Sequence, residues 1–523
     1  MSRSRIRRAW LTACTAATLT LTGLTTPAQA EEPTPPSATD STIQEPRAQD
    51  APAPTVGAQA WSGPGGPASS AGFTLAAGAM NAETSRRVAR LDAVLPKQGV
   101  QNLLAAANRD MAPWCAERDP FGSAPDPEIK YCLQNDDSIS REWIPQAITG
   151  VSDAMDNEKW GEAENIVLFG SYDGWDPGRD SNDNGVGDCN EEELAKEDAC
   201  NQKGVRVTFS QSRINPATSR PEIKYRHVLL AWAYENSADH ISYDAVHAKE
   251  STLQKGVHAG GMVWYGNYLY LADTRNGIRV FDMRKIMDLD PDGDPSTRDK
   301  MGADTDGVNT TSNVQDKTKI GRHNNVWYSF GYRYVMPQVA AWTFKAPQQN
   351  PKGSYACTDT NAPKASYLSL DRSTVPDRLI MGEYCRPEAG YLSTGRVSSY
   401  PVAALEARSG EVAAEGWANY LPKEGIQGFA AHNGDYYFNQ STGPGVNGNL
   451  WRATRTDGKL VARTNPVKTA TGPEDLYIER GKGRLWSVSE HSKTAKDLAG
   501  ESCTALCERV LYGYKLDWLQ AQP

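Results

Sequence analysis

Residues 180–191 read DSNDNGVGDCNE and place oxygen-bearing side chains at a regular spacing. Asp180, Asn182, Asn184, Asp188 and Glu191 stand at positions 1, 3, 5, 9 and 12, with Gly185 at 6 and the carbonyl of Val186 at 7. A hard cation such as calcium takes about six to eight oxygens. This order supplies them, the glycine making the sharp turn and the last glutamate offering both its oxygens.

The spacing resembles the calcium loop of an EF-hand at every side-chain ligand position. The resemblance covers the loop alone: GWDPGR before it cannot form the usual entering helix, and Gly187 stands where an apolar residue is usual. It implies an isolated extracellular-type calcium loop, buttressed by a Cys189–Cys200 bridge. A second stretch, DLDPDGDPSTRD at 288–299, repeats the theme with Asp288, Asp290, Asp292, Gly293 and a final Asp299, weakened by Pro295 and by Asp in place of Glu.

The elements that hold these loops belong to an exported chain. Residues 1–30 have a basic head, a short apolar middle and Ala28-Gln29-Ala30, the pattern of a cleaved signal peptide with Glu31 as first mature residue. Arg7-Arg8 is compatible with twin-arginine as well as general export. Of nine cysteines, eight follow the leader, and they fall into neighbouring pairs: Cys115/Cys132, Cys189/Cys200, Cys357/Cys385 and Cys503/Cys507. Local disulfides are the simplest pairing in an oxidising compartment. A net charge of −9 with no basic block after the leader argues against nucleic acid or an anionic membrane as partner. A monomer is expected, with no transmembrane segment.

Residues 31–72 are Pro-, Ala-, Ser- and Gly-rich and read as a disordered tether. Residues 73–140 form a helical and irregular segment, whose 83–110 stretch predicts one or two amphipathic helices broken at Pro96. From 141 to 523 the texture is β-rich. Five segments led by a polar residue recur: WIPQAITGV, GVHAGGMVW, KASYLSLD, GIQGFAAH and GPEDLYIE, each followed by a second and a third strand. Repeated antiparallel units of this kind predict an all-β fold, a β-propeller of five blades. The last blade lacks a fourth strand, so an earlier segment must close the ring.

In such a disc the starts of the innermost strands and the ends of the second strands meet around one mouth. The first set is Gln146, His258, Ser366, Gln427 and Glu474; the second is Asp173, Asp273, Glu383, Gln440 and Glu490. Crowded carboxylates raise one another's pKa or recruit a cation, either of which serves acid–base chemistry. Glu474 and Glu490 are the expected acid and base, assisted by Asp273, Glu383 and His258. Trp175, Tyr384 and Trp264 are candidates to stack on sugar rings. His323, His432 and His491 lack zinc spacing, and no nucleophile elbow or phosphate-cradling loop is present.

The text HAGGMVWYGNYLYLADTRNGIRVFDM resembles secreted bacterial β-propellers of the lactonase, glycoside hydrolase and lectin kinds, and the leader resembles those of actinobacterial secreted proteins. The resemblance implies either a calcium-dependent hydrolase or lyase acting on an extracellular polysaccharide, or a non-catalytic propeller that binds glycan or cell wall. No catalytic residue carries over by motif.

Overall fold

The computed structural model describes residues 62–113, 115, 119–140, 142–174, 203–215, 217–248, 255–348, 355–359, 361–492 and 508–523. The loop at 180–191, Trp175, the Cys189/Cys200 and Cys503/Cys507 pairs, the leader and most of the tether lie outside them.

Five repeated antiparallel units form the blades of a β-propeller, the first two joined into one 13-stranded sheet where Tyr334–Phe344 pairs parallel with Arg220–Glu235. Their innermost strands are Trp143–Gly150, Met262–Tyr265, Tyr367–Asp371, Ile426–His432 and Pro473–Glu479, packed against one another around a common axis. These strands face neighbouring blades on both sides, which is why their sequences are apolar almost throughout rather than alternating. The second strands are Ile166–Asp173, Tyr268–Asp273, Arg378–Gly382, Asp435–Gln440 and Arg484–Ser489. The third are Val205–Asn215, Gly277–Asp282, Arg396–Pro401, Asn447–Thr456 and Val510–Lys515.

Blade five finds its fourth strand in Ile129–Cys132, which pairs antiparallel with the third strand, Ile129 opposite Gly513 and Cys132 opposite Val510. The ring is therefore closed by a segment that precedes blade one, as its missing strand required. The closure is held by packing and by covalent chemistry. Phe121 is fully buried and meets Tyr512 edge-to-face at 5.2 Å, a burial that contributes about 1.5–3 kcal/mol. Cys115–Cys132 ties the strand's end to the chain before it, and Cys357–Cys385 bridges the start of blade three.

Two helices, Asn81–Val94 and Val100–Ala105, flank Pro96. The first buries Val88, Leu91 and Val94 at helical spacing against the outer strands of blades one and two. Residues 62–68, grouped by composition with the tether, pack on the propeller: the Gly65 carbonyl accepts from Asn419 and Leu460, and Pro67 bridges Asn419. Blade two carries an excursion with its own sheet of Lys300–Ala303, Asn309–Ser312, Val326–Ser329 and Ile320–His323. Nothing in the strand pattern had foretold it.

Candidate acid–base funnel

Three of the polar residues that head the inner strands sit in β-bulges. The pairing register of blade one slips between Pro145 and Ala147, leaving Gln146 unpaired. In blade four it slips between Ile426 and Gly428, leaving Gln427. In blade five it slips between Pro473 and Leu476, across Glu474 and Asp475. A bulge turns one side chain out of the pleat, and here three bulges at one level turn polar groups toward one another. Gly428 permits this: a Cβ there would lie 2.6 Å from the Glu474 carbonyl. That carbonyl is pinned by Asn439 at 2.6 Å.

Glu490 lies near enough to Glu474 for its charge to act on the Glu474 carboxyl. Each also accepts one carboxamide N–H from a neighbouring blade, Gln427 to Glu474 and Gln146 to Glu490, both at 3.0 Å. Burial pushes the Glu474 carboxyl well above the usual range, and the Glu490 charge beside it pushes further. Burial and the neighbouring charge together favour the protonated form of Glu474. The members are not equivalent. Glu474 is 1% exposed, whereas the Glu490 side chain keeps 19% of its surface open.

The other strand-end acids differ, and the reason is a series of arginines at the starts of third strands. Asp273 is bound by Arg279, Nε at 2.9 Å and Nη2 at 2.8 Å, and by Asn276. Glu383 is bound by Arg396, Nε at 2.8 Å and Nη2 at 3.1 Å, and by the backbone N–H of Arg396 and Lys364. In blade one Arg206 turns instead to Asp137, at 2.6 Å. In blade five Arg509 gives its guanidinium to the carbonyls of Glu490, Asp137 and Ser140. The segment that closes the ring thus draws these two arginines away, and the Glu490 carboxyl is left to Gln146, at 3.0 Å, and to His491, at 3.7 Å. Asp273 and Glu383 stand as neutralised, structural groups apart from the pair.

The remaining expected residues fall as follows. His258 is exposed, yet desolvation holds its imidazole below the ordinary value, with Glu490 opposing; such a group lines a recess. Its ring lies 4.7 Å from that of Tyr172. Burial raises the Tyr172 phenol well above its usual value, and Glu490 and Glu474 raise it further. Tyr384 feels Glu474 as well. Gln440 is occupied by Asn449 and Trp451. Trp264 cannot stack on a ligand: it is wholly buried against Trp160, because its strand is covered on both faces. His323 belongs to the excursion sheet and bonds the Ile320 carbonyl.

In the second acidic stretch Asp288 is not free to act as a ligand, since Arg333 holds both its oxygens at 2.8 and 2.9 Å. Asp290, Asp292 and Asp299 do converge, each offering an oxygen within 4.8 Å of the others. Burial pushes Asp290 up to about 6, the neighbouring aspartates adding to it and Arg333 opposing. Three converging carboxylates suit a hard cation.

Missed by the strand pattern were the arginines, signalled by Gly-x-Arg after an acid in blade two and Gly-Arg in blade three, and the packing of Tyr355 and Arg386 against the expected Tyr384. Asp475 was also missed. It is fully buried, and its Oδ2 takes the N–H groups of Ile148 and Met262, both at 3.2 Å. It joins the inner strands of blades one, two and five.

No protein-family model and no curated protein matches the sequence. Among solved structures the chain is similar to "RS223-Beta-xylosidase", at 10% identity over 72% of this chain and 91% of that one, with a TM-score of 0.30. It is similar to a Dos1 propeller at 10% identity over 71% of each chain, TM-score 0.23. Pseudomonas fluorescens PhoX in complex with vanadate matches at 9% identity over 79% and 98%, TM-score 0.30. Among the described residues no helix is long and apolar enough to cross a membrane.

Proposed function

We propose that this chain is a secreted, calcium-binding β-propeller that takes a saccharide into its funnel and cleaves it by acid–base chemistry, as a hydrolase or lyase. One observation carries the reading: the buried Glu474, its carboxyl raised, lies near the more open Glu490, and each accepts a carboxamide N–H from a neighbouring blade. A raised carboxyl beside a more open one suits acid–base chemistry. The Tyr384 phenol and the His258 ring offer flat, hydrogen-bonding surfaces of the kind sugars stack on. Export is supported by the leader and by the two disulfides. Calcium is supported by the spacing at 180–191 and by the Asp290, Asp292 and Asp299 cluster.

A second reading, non-catalytic glycan binding, draws on the same contacts. Gln146, Glu490, Glu474 and Gln427 form a chain of hydrogen bonds across blades one, five and four, which would also serve to lock the ring. The two part on Glu490→Gln and Glu474→Gln, assayed against a panel of neutral and acidic polysaccharides. Loss of product with binding retained supports catalysis. Unchanged binding with no product from any form supports the binding reading.

A further inference from the structure

A buried cation in blade five has no counter-charge. Arg509, just before the third strand, is 1% exposed. Among the described residues no carboxylate oxygen lies within ion-pair distance of it. Its guanidinium meets three carbonyls instead: Glu490 at 2.8 Å from Nε, and Asp137 at 3.0 Å and Ser140 at 2.8 Å from Nη1. Asp137 cannot neutralise it, because its carboxylate is already occupied. It accepts from Arg206 and Tyr225 at 2.6 Å and from Arg109 at 3.0 Å, and meets His227 at 3.2 Å.

Burial, with Arg206 nearby, brings the Arg509 guanidinium down to about 10, Glu490 and Asp137 opposing. A buried charge without its own anion is unfavourable. A fold that needed only to cap three carbonyls could do so with neutral donors. The charge calls for a further reason.

That reason is Glu490. Its N–H donates to the Gly472 carbonyl at 3.0 Å and its own carbonyl accepts from Arg509, so the backbone is held on both sides. The side chain is held separately, Oε2 accepting the Gln146 carboxamide at 3.0 Å. Gly472, at φ +60°, makes the support close: a Cβ there would lie 3.1 Å from the Glu490 Cγ and 2.5 Å from the His491 Cδ2. The result is a carboxyl with 19% of its surface open on a residue otherwise fixed through backbone and side chain. Glu474, at 1% exposure, has no such opening. Of the two acids, Glu490 is the one a ligand can touch.

Building on the funnel reading above, we infer that Arg509 is the positioning residue of Glu490: it fixes the Glu490 backbone and keeps a positive charge behind the acid that meets the saccharide. The closing segment enters the site by the same route. Asp137 and Ser140 lie between the closing strand and the inner strand of blade one, and Arg509 joins both to Glu490. Seating of that segment and shaping of the mouth are one event.

The test uses the mature, oxidised chain with xylan, β-glucan and polygalacturonate. Binding is read by affinity electrophoresis, product by sugar analysis and stability by urea unfolding. Arg509→Gln keeps an amide donor without the charge, and Arg509→Lys keeps the charge. At least one polysaccharide should bind the wild type. Its affinity, or its rate of cleavage, should fall about tenfold or more in Arg509→Gln and recover most of that loss in Arg509→Lys. In a Glu490→Gln background, Arg509→Gln should cost no further affinity, because it acts through Glu490. If Arg509→Gln does not fold, the same cycle is run with Arg509→Lys, whose shorter reach should lower affinity beside Glu490 and not beside Gln. Wild-type handling of the polysaccharide by Arg509→Gln, or an equal loss with and without Glu490, overturns the inference and leaves the funnel reading intact. Equal losses in Arg509→Gln and Arg509→Lys overturn the role of the charge. No binding of any polysaccharide by the wild type overturns both readings.

Discussion

The funnel account divides acids that share a place in the blade into two kinds, and Glu383 is the sharpest test of that division. Its carboxylate is wholly buried and accepts four N–H groups, two from the Arg396 guanidinium and two from backbone. In Glu383→Gln one oxygen becomes an NH2 group facing donors, and Arg396, itself fully buried, loses its counter-charge. Removing one partner of a buried ion pair costs roughly 3–5 kcal/mol, most of it the stranded charge. Replacing both, as Glu383→Leu with Arg396→Met, should recover most of that loss. Urea unfolding of the oxidised protein measures the three variants and gives the coupling energy. A cost below about 1 kcal/mol for Glu383→Gln would refute the argument. So would a stable double variant that no longer binds ligand, because Glu383 would then belong to the site.

Three further outcomes are expected. Asp153, buried and hydrogen-bonded by Thr149 at 2.8 Å, has a carboxyl pushed up to about 8, mainly by burial. The folded state keeps a proton that the unfolded chain loses near pH 4, so wild-type stability falls as pH rises from about 4 to 8. The fall is at most roughly 6 kcal/mol at about 1.36 kcal/mol per unit. Asp153→Asn lacks this loss, and a stability gap that did not move with pH would contradict it. Calcium at a hundred times its Kd should stabilise the protein by about 2.7 kcal/mol per site. In melts with calcium and with chelator, Glu191→Gln and Asp299→Asn should each remove part of that shift. Replacing Cys357 and Cys385 with alanine opens a loop whose ends are 28 residues apart, at a cost of roughly 3–4 kcal/mol, read as a lower urea midpoint.

The blades were legible because an inner strand between two neighbours must be apolar and a second strand must follow it closely. WIPQAITG and PEDLYIE announce both facts, and a blade with three strands in a closed ring demands a fourth from elsewhere. That Ile129–Cys132 supplies it was not legible, since IKYC resembles any short edge strand. The excursion at 300–329 escaped because its strands, KMGA and NTTS among them, are small and polar. The ring of acids was legible as positions, not as chemistry. Asp273, Glu383 and Glu490 read alike along the chain, and they differ because Arg279 and Arg396 reach back while Arg509 is drawn to Asp137 and Ser140. Such diversion depends on the fold of the closing segment, which no local pattern encodes. Trp264 misled for a related reason: an aromatic on an inner strand belongs to the seam between blades.

The raised carboxyl of Glu474 is tested most directly by infrared difference spectroscopy at neutral pH, comparing wild type with Glu474→Gln. Asp475, adjacent to Glu474 and buried with it, is controlled by repeating the comparison in an Asp475→Asn background. The account predicts that the wild type carries one protonated carboxyl band that the variant lacks, and that Glu490→Gln leaves no coupled titration between the two positions. A difference spectrum showing only the loss of a carboxylate would mean Glu474 is ionised, and the acid–base reading of the funnel would fail.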